Sequence, residues 1–264
     1  MLQENLLEYF SERVFVCLNT YLKKQEKGRT MNTLEEVRIR ADKPIILKFN
    51  EGEKIFEEKV TTEEILETLQ YICENSIYSY QNQICNGYIT VRGGHRIGIV
   101  GSAVMEKNKV INIHNVSGLN FRIARQIIGC SNGVLEHILD KEKSNIYNTL
   151  IVSPPGAGKT TILRDLIRQV SNGDIKKDFC GLNVAVVDER GEIAAMYKGV
   201  PQNDIGVRTD VLDNIPKWIG MKMLIRSMAP EVICADEIGN IEDVDAINYS
   251  ICSRDERNIY STWC

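Results

Sequence analysis

Ser153-Pro154-Pro155-Gly156-Ala157-Gly158-Lys159-Thr160-Thr161 is the stretch whose reading decides the fold. It follows a short apolar run, Thr149–Val152 (TLIV), and opens a segment in which Ile162, Leu163, Leu166, Ile167 and Val170 recur at helical spacing. Strand, glycine-rich loop and helix form the context in which Gly-Lys-Thr binds phosphate. Gly156 and Gly158 let backbone N–H groups turn inward onto phosphate oxygens, and the helix N-terminus adds the positive end of its dipole. Lys159 supplies a point charge for the β- and γ-phosphates, and Thr160 a hydroxyl for a metal. Residues 153–161 are therefore the expected nucleotide-binding loop, with ATP and Mg²⁺ as cofactors. The motif's first position is ordinarily Gly; here it is Ser153, a small residue suited to the turn off the strand.

Downstream, Val232, Ile233 and Cys234 run into Asp236-Glu237. A hydrophobic strand ending in acids, paired with a phosphate loop, is the Walker B arrangement. Asp236 is expected to hold Mg²⁺, and Glu237 to polarise the attacking water. An acid directly after the Walker B Asp marks the ATP-hydrolysing branch in which one further strand separates the two motif strands. A second acidic strand end, Val186–Glu192 (VVDERGE), offers Asp188, Glu189 and Glu192, since open α/β sheets bind ligands at the carboxyl ends of their strands. Asp188 and Glu189 are candidates to orient water, against the simpler reading of solvated surface charge. Arg122, Arg125, Arg208 and Arg226 are candidate γ-phosphate fingers, though each taken alone reads more readily as a surface or salt-bridge residue. Arg92, His95 and Arg96 form a basic cluster at a hairpin tip.

From Asn148 onward, short apolar strands (149–152, 184–187, 232–235) alternate with helices (160–171, 216–228, 241–252). Such alternation argues for an α/β domain with a parallel sheet covered on both faces. Before it, periodicity predicts a helix over 5–25, a hairpin around the Asp42-Lys43-Pro44 turn, a helix over 61–78 capped by Thr61 or Thr62, and a strand pair over 87–104 turning at Gly93-Gly94. A helix carrying Val134, Leu135, Ile138 and Leu139 follows the junction. The expected organisation is a small α+β domain, 1–125, followed by a RecA-like P-loop domain, 126–264.

The 264 residues, 43% hydrophobic and 26% charged, exclude a disordered chain, a collagen-like repeat and a coiled-coil rod. A formal net charge of −4 disfavours wholesale coating of nucleic acid. No apolar run reaches the ~18 residues of a membrane span, and the first twenty residues lack the order of a secretion signal. A cytoplasmic chain is expected, one able to dock on a membrane partner. The eight cysteines are scattered without CxxC spacing, as reduced thiols are.

Taken together, SPPGAGKTTILRD (153–165), VAVVDERGEIA (184–194), DIGVRTDVLD (204–213) and GMKMLIRSMAPEVICADEIG (220–239) resemble the stage III sporulation protein AA family of spore-forming Firmicutes. LEEVRIRADKPI (34–45), GYITVRGGHRIGIVG (87–101) and SGLNFRIAR (117–125) fit the same family, in which Ser at 153 is at home. The family is similar to type II/IV secretion ATPases. The resemblance implies an N-terminal domain joined to a RecA-like motor, assembled as a homo-oligomeric ring, a hexamer in the fullest form. It also implies a place at the base of a channel between mother cell and forespore, with membrane-channel proteins of sporulation as partners. In such motors an acidic "Asp box" follows the second strand, and Asp188–Glu192 stands in its place.

The family pattern continues past Walker B with a helix, a turn and a strand ending in Thr-Ala-His-Gly. Here Ile241–Cys252 fits, and then the chain reads SRDERNIYSTWC (253–264). Residues from about 253 onward are expected to be a frameshifted or truncated tail. Arg257–Thr262 is the segment able to replace the strand between the two motif strands. Two alternatives to a motor follow: a nucleotide-binding scaffold without turnover, its ATPase core being incomplete, and a RecA-like ATPase acting on nucleic acid.

Overall fold

The computed structural model describes residues 4–24, 33–140, 144–154, 156–174, 179–252 and 260–263. The chain divides into two compact units, 1–124 and 125–264.

The first unit holds helices α1 (Glu4–Leu7) and α2 (Glu12–Lys24), strands β1 (Leu34–Arg40), β2 (Pro44–Phe49) and β3 (Gly52–Lys59), helix α3 (Thr62–Ile72), a 3₁₀ turn (Ile77–Tyr80), helix α4 (Gln81–Cys85), and strands β4 (Tyr88–Thr90), β5 (Arg96–Glu106) and β6 (Lys109–Arg122). The strands form one antiparallel sheet in the order β3-β2-β1-β6-β5-β4. Val37 and Ile39 of β1 face Phe121 and Leu119 of β6 in register and are buried, so every second residue feeds the core. The Phe10 and Phe121 rings stack at 4.2 Å.

Two expectations for this unit need correction. The helix expected over 5–25 is broken between α1 and α2, where the Ser11 amide donates to Thr68 Oγ1 of α3 at 3.1 Å. The break lets Leu6 and Phe10 as well as Val14 and Leu18 reach the core. The helix expected over 61–78 stops at Ile72, because Glu74 and Asn75 take φ of +49° and +62°, which no right-handed helix accommodates. Its start is as expected: Thr61 and Glu64 form a reciprocal capping box. The turns at Asp42 (φ +57°) and at Gly93-Gly94 (φ +87° and +76°) close the two anticipated hairpins.

The second unit holds α5 (Asn132–Ile138), β7 (Leu139–Asp140), β8 (Asn145–Ile146), β9 (Thr149–Leu150), α6 (Lys159–Asn172), β10 (Val184–Asp188), β11 (Thr209–Asp213), α7 (Lys217–Met228), β12 (Val232–Ala235), α8 (Ile241–Cys252) and β13 (Tyr260–Trp263). Strands β7 and β8 pair with each other. The other five make a parallel sheet in the order β11-β10-β12-β13-β9. Val184, Val186, Val232 and Cys234 pack with Leu163, Leu166, Ile167 and Val170 of α6. Their alternates Ala185, Val187, Ile233 and Ala235 pack with Met221 and Leu224 of α7 and Ala246 of α8. The result is a three-layer α/β/α sandwich with both sheet faces covered, which explains strands that are apolar at consecutive positions.

Strand β9, which leads into the glycine-rich loop, and strand β12, which runs into Asp236, are separated by one strand, the order expected from the acid after Asp236. That strand is β13, drawn from the segment expected to replace it; Arg257–Ile259 of that segment lie outside the described residues. Strand β9 is two residues long rather than four, with Thr149 and Leu150 opposite Thr262 and Trp263. Leu139 leaves α5 to pair with Ile146.

Candidate nucleotide site

The loop runs from β9 into α6. Gly156 and Gly158 have φ of +76° and +87°, and a Cβ built on either meets nothing within 4 Å. Their conformation favours glycine, and the space in front of them is open. Gly158 occupies the N-cap of α6. Lys159 Nζ donates to Ser153 O at 2.9 Å and Pro154 O at 3.3 Å, folding the ammonium over the loop. Ser153 Oγ and the Ala157 amide both donate to Pro154 O, at 3.2 and 3.3 Å. Pro155 lies outside the described residues. Thr161 sits in the first turn of α6, its carbonyl accepting from the Cys130 thiol at 3.6 Å.

Thr160 Oγ1 donates to Asp236 Oδ1 at 3.4 Å. Asp236, just past β12, is only 8% exposed. Burial, then the charges of Glu192 and Glu237, then a hydrogen bond shared with Glu192, push its carboxyl up to about 6, against the Thr160 hydroxyl. Thr160, Asp236 and Glu192 thus bring hard oxygen donors together, and the charge of Glu192 disfavours ionisation of Asp236. A small dication would relieve that repulsion, so these residues fit Mg²⁺. Among the described residues no three His, Cys, Asp or Glu are grouped as a metal cage. Mg²⁺ needs none, since it takes most of its ligands from waters and phosphates.

The Asp188–Ala194 loop divides the second set of acids by role. Asp188 is fully buried. Its carboxylate accepts from the amides of Glu192 (2.8 Å), Ile193 (3.1 and 3.2 Å) and Ala194 (2.8 Å). It anchors the loop. Glu189 pairs with Lys217, a largely buried ammonium at the start of α7. Arg190 Nη1 lies 2.7 Å from Glu237 Oε2, both side chains half exposed. Glu237 takes φ of +43°, a left-handed backbone that is uncommon for a residue with a side chain. Of the expected acids, Asp236 meets Thr160 and Glu192 at the mouth of the loop, while the neighbouring Glu237 pairs with Arg190. Asp188 and Glu189 are engaged elsewhere.

The finger candidates are placed differently. Arg208 Nη1 donates to Ser171 O (2.8 Å) and Asn172 O (3.3 Å), closing the C-terminus of α6. Arg226 is exposed in the last turn of α7. Arg122 belongs to β6 of the first unit. Arg125 offers its carbonyl to Arg164 at 3.2 Å. Sequence reasoning passed over Arg164, Arg190 and Lys217. Spacing alone could have pointed to Arg164, which follows Thr160 by four residues and so shares its face of α6.

The fold recurs in solved ATPases. DotB of Legionella pneumophila superposes with a TM-score of 0.55 at 13% identity, over 94% of this chain and 65% of that one. DotB of Yersinia pseudotuberculosis gives 0.56 at 13%, over 96% and 66%. The pilus retraction motor PilT, solved with bound ADP, gives 0.53 at 14%, over 88% and 63%. The chain thus spans just under two thirds of the length of these structures, and at such identity the likeness establishes the fold alone. Sequence goes further. The chain is 41% identical over 215 residues to the stage III sporulation protein AA of Bacillus subtilis (strain 168), covering 81% of this chain and 68% of that protein. It is 31% identical over 128 residues to the uncharacterized protein ycf45 of Cyanidium caldarium, covering 47% and 34%. The family description "Sporulation stage III, protein AA" matches residues 10–255, and with it the phosphate loop and both acidic strand ends fall in one frame: the chain belongs to the sporulation stage III protein AA family.

Proposed function

We propose that this chain is a Mg²⁺-dependent ATPase of the secretion-motor kind, working in sporulation at a mother cell–forespore channel. The observation that carries the reading is the Gly156–Thr160 loop, open on its concave side, with Thr160 Oγ1 3.4 Å from a buried Asp236. The loop amides and Lys159 hold the phosphates of ATP. Thr160 and Asp236 hold Mg²⁺, which when bound neutralises charge on the β- and γ-phosphate oxygens. Glu192, beside Asp236, adds a further oxygen donor to the same site. Glu237, half exposed beside Asp236, orients and polarises the attacking water. Asp188 and Glu189 act through the loop they brace, holding Glu192 and Arg190 in place. A homo-oligomeric ring, six copies in the fullest form, and membrane-channel proteins as partners belong to the same reading. Among the described residues no helix is long and apolar enough to cross a membrane.

The test is steady-state ATP hydrolysis by the purified chain in Mg²⁺, beside Lys159→Ala and Glu237→Gln. Lys159→Ala should lose nucleotide binding. Glu237→Gln should keep binding and lose turnover by about 10²–10⁴-fold, the usual worth of a positioned base. Turnover that survives Lys159→Ala would reject the site. Tight Mg²⁺-ATP binding with no turnover by the wild-type chain would leave a nucleotide-binding protein and reject the motor.

A further inference from the structure

We propose that Arg164 is a positioning residue that sets Glu192 against Asp236 from the phosphate-loop helix; the proposal rests on the ATPase reading above.

Arg164 lies one turn along α6 from Thr160, on the same face. Its guanidinium donates to three main-chain carbonyls: Glu192 O from Nη2 at 2.6 Å, Ile193 O from Nε at 3.0 Å, and Arg125 O from Nη1 at 3.2 Å. Across the same peptides, Asp188 accepts from the amides of Glu192, Ile193 and Ala194. Asn203 Nδ2 adds a bond to Ile193 O at 2.7 Å. The backbone of Glu192–Ala194 is therefore gripped on its carbonyls from α6 and on its amides from β10. Glu192 leaves this clamp with its main chain fixed and its carboxyl close enough to Asp236 for its charge to act there.

A guanidinium engaged by carbonyls is a costly way to hold a loop. Burial pushes Arg164 below its ordinary value, and the charges of Asp188, Glu192 and Asp236 offset this only in part. Its fork matches two successive carbonyls, a geometry no lysine reproduces. The helix that begins at the phosphate loop thus carries both the hydroxyl proposed for the metal and the clamp on the carboxylate facing that metal. Phosphate binding at one end of this turn and carboxylate placement at the other are set by the same rigid element. Partners that orient a metal's ligands without touching the metal are typically worth 10–100-fold in metal affinity or activity.

The experiment measures how strongly Mg²⁺ tightens nucleotide binding, which needs no turnover. Dissociation constants for a fluorescent ADP are taken with and without Mg²⁺ in wild type, Arg164→Met, Arg164→Lys, Glu192→Gln and the Arg164→Met/Glu192→Gln double variant. Melting curves confirm that each is folded. The Mg²⁺ enhancement should fall about tenfold in Arg164→Met and nearly as far in Arg164→Lys. Metal-free affinity should stay within about twofold. The double variant should lose no more enhancement than Glu192→Gln alone, because a positioning residue has nothing left to position. Additive losses, or undiminished enhancement in folded Arg164→Met, would overturn the role of Arg164 while leaving the ATPase reading intact. Failure of the wild-type chain to bind nucleotide at all would overturn both.

Discussion

Asp165 on α6 and Asp236 beside its first turn are both buried carboxylates, and their surroundings push them in opposite directions. Burial alone would raise Asp165, but donors outweigh it. Ser131 N (2.9 Å) and Oγ (2.7 Å), Arg168 (2.7 Å) and Gly129 N (3.1 Å) hold it well below the usual carboxylate range. Its stabilisation is fully present above its unfolded pKa of about 4 and is lost as pH falls through the lower folded value. Asp165→Asn should cost about 3 kcal/mol at pH 7, as breaking a buried, hydrogen-bonded ion pair does. Urea titration should show the gap to wild type narrowing as pH drops below about 4. Asp236 is raised, so the folded state holds a proton that the unfolded state has released. Metal-free protein should therefore lose stability as pH rises from about 4 to about 6. Asp236→Asn should melt above wild type at pH 7.5 without Mg²⁺, with the difference vanishing near pH 4. An Asp236→Asn variant that melts lower across that whole range would refute this.

Helix α7 meets β10 at Gly220. A Cβ there would lie 2.6 Å from Val187 Cγ1 and 3.1 Å from Ile215 Cγ2, so the missing side chain is what lets the helix seat on the sheet. Gly220→Ala should cost about 1–3 kcal/mol, the usual penalty of overpacking, read as a lower urea midpoint with an unchanged slope. Elements whose packing shows as periodicity, such as α6, α7 and α8, were legible within a residue or two. Strands β3, β6 and β11 were not. Seven of the eight residues of β3 are exposed or nearly so, and the first half of β6 is mostly exposed. Their ladders come from neighbouring strands, so no alternation marks them in the sequence. Strand β11 lies within DIGVRTDVLD (204–213) and shows no clean alternation of buried and exposed residues. The arginine of that stretch, Arg208, proves to close the C-terminus of α6.

Each unit has its own core. One hydrophobic cluster draws on Leu6 through Phe121, and two others lie within Leu135 through Ala246. A segment with its own core is able in principle to fold alone. Residues 1–124 expressed by themselves should show a single cooperative thermal transition; a featureless melt would mean that this sheet needs the rest of the chain. The proposed ring belongs to this scale too. Molar mass in solution should rise to a multiple of the 29.9 kDa chain when Mg²⁺-ATP is added to Glu237→Gln, which holds nucleotide without consuming it.

The phosphate loop, the acidic strand ends and the α/β alternation were readable from neighbouring residues alone. Positive-φ glycines, a lysine at fixed spacing and a 3.6-residue apolar stripe are local properties, and local chemistry dictates them. Asp188 read as a catalytic candidate because a strand-end acid looks the same whether it faces water or three backbone amides. Folding distinguishes these cases: it turns Asp188 onto its own loop, ties Glu189 to Lys217, carries Glu192 to Asp236 and brings Arg164 to the carbonyls that hold it there. It also inserts β13 between β12 and β9. These outcomes depend on contacts between segments far apart in the chain, where burial and the satisfaction of buried polar groups choose among arrangements that local spacing leaves equivalent.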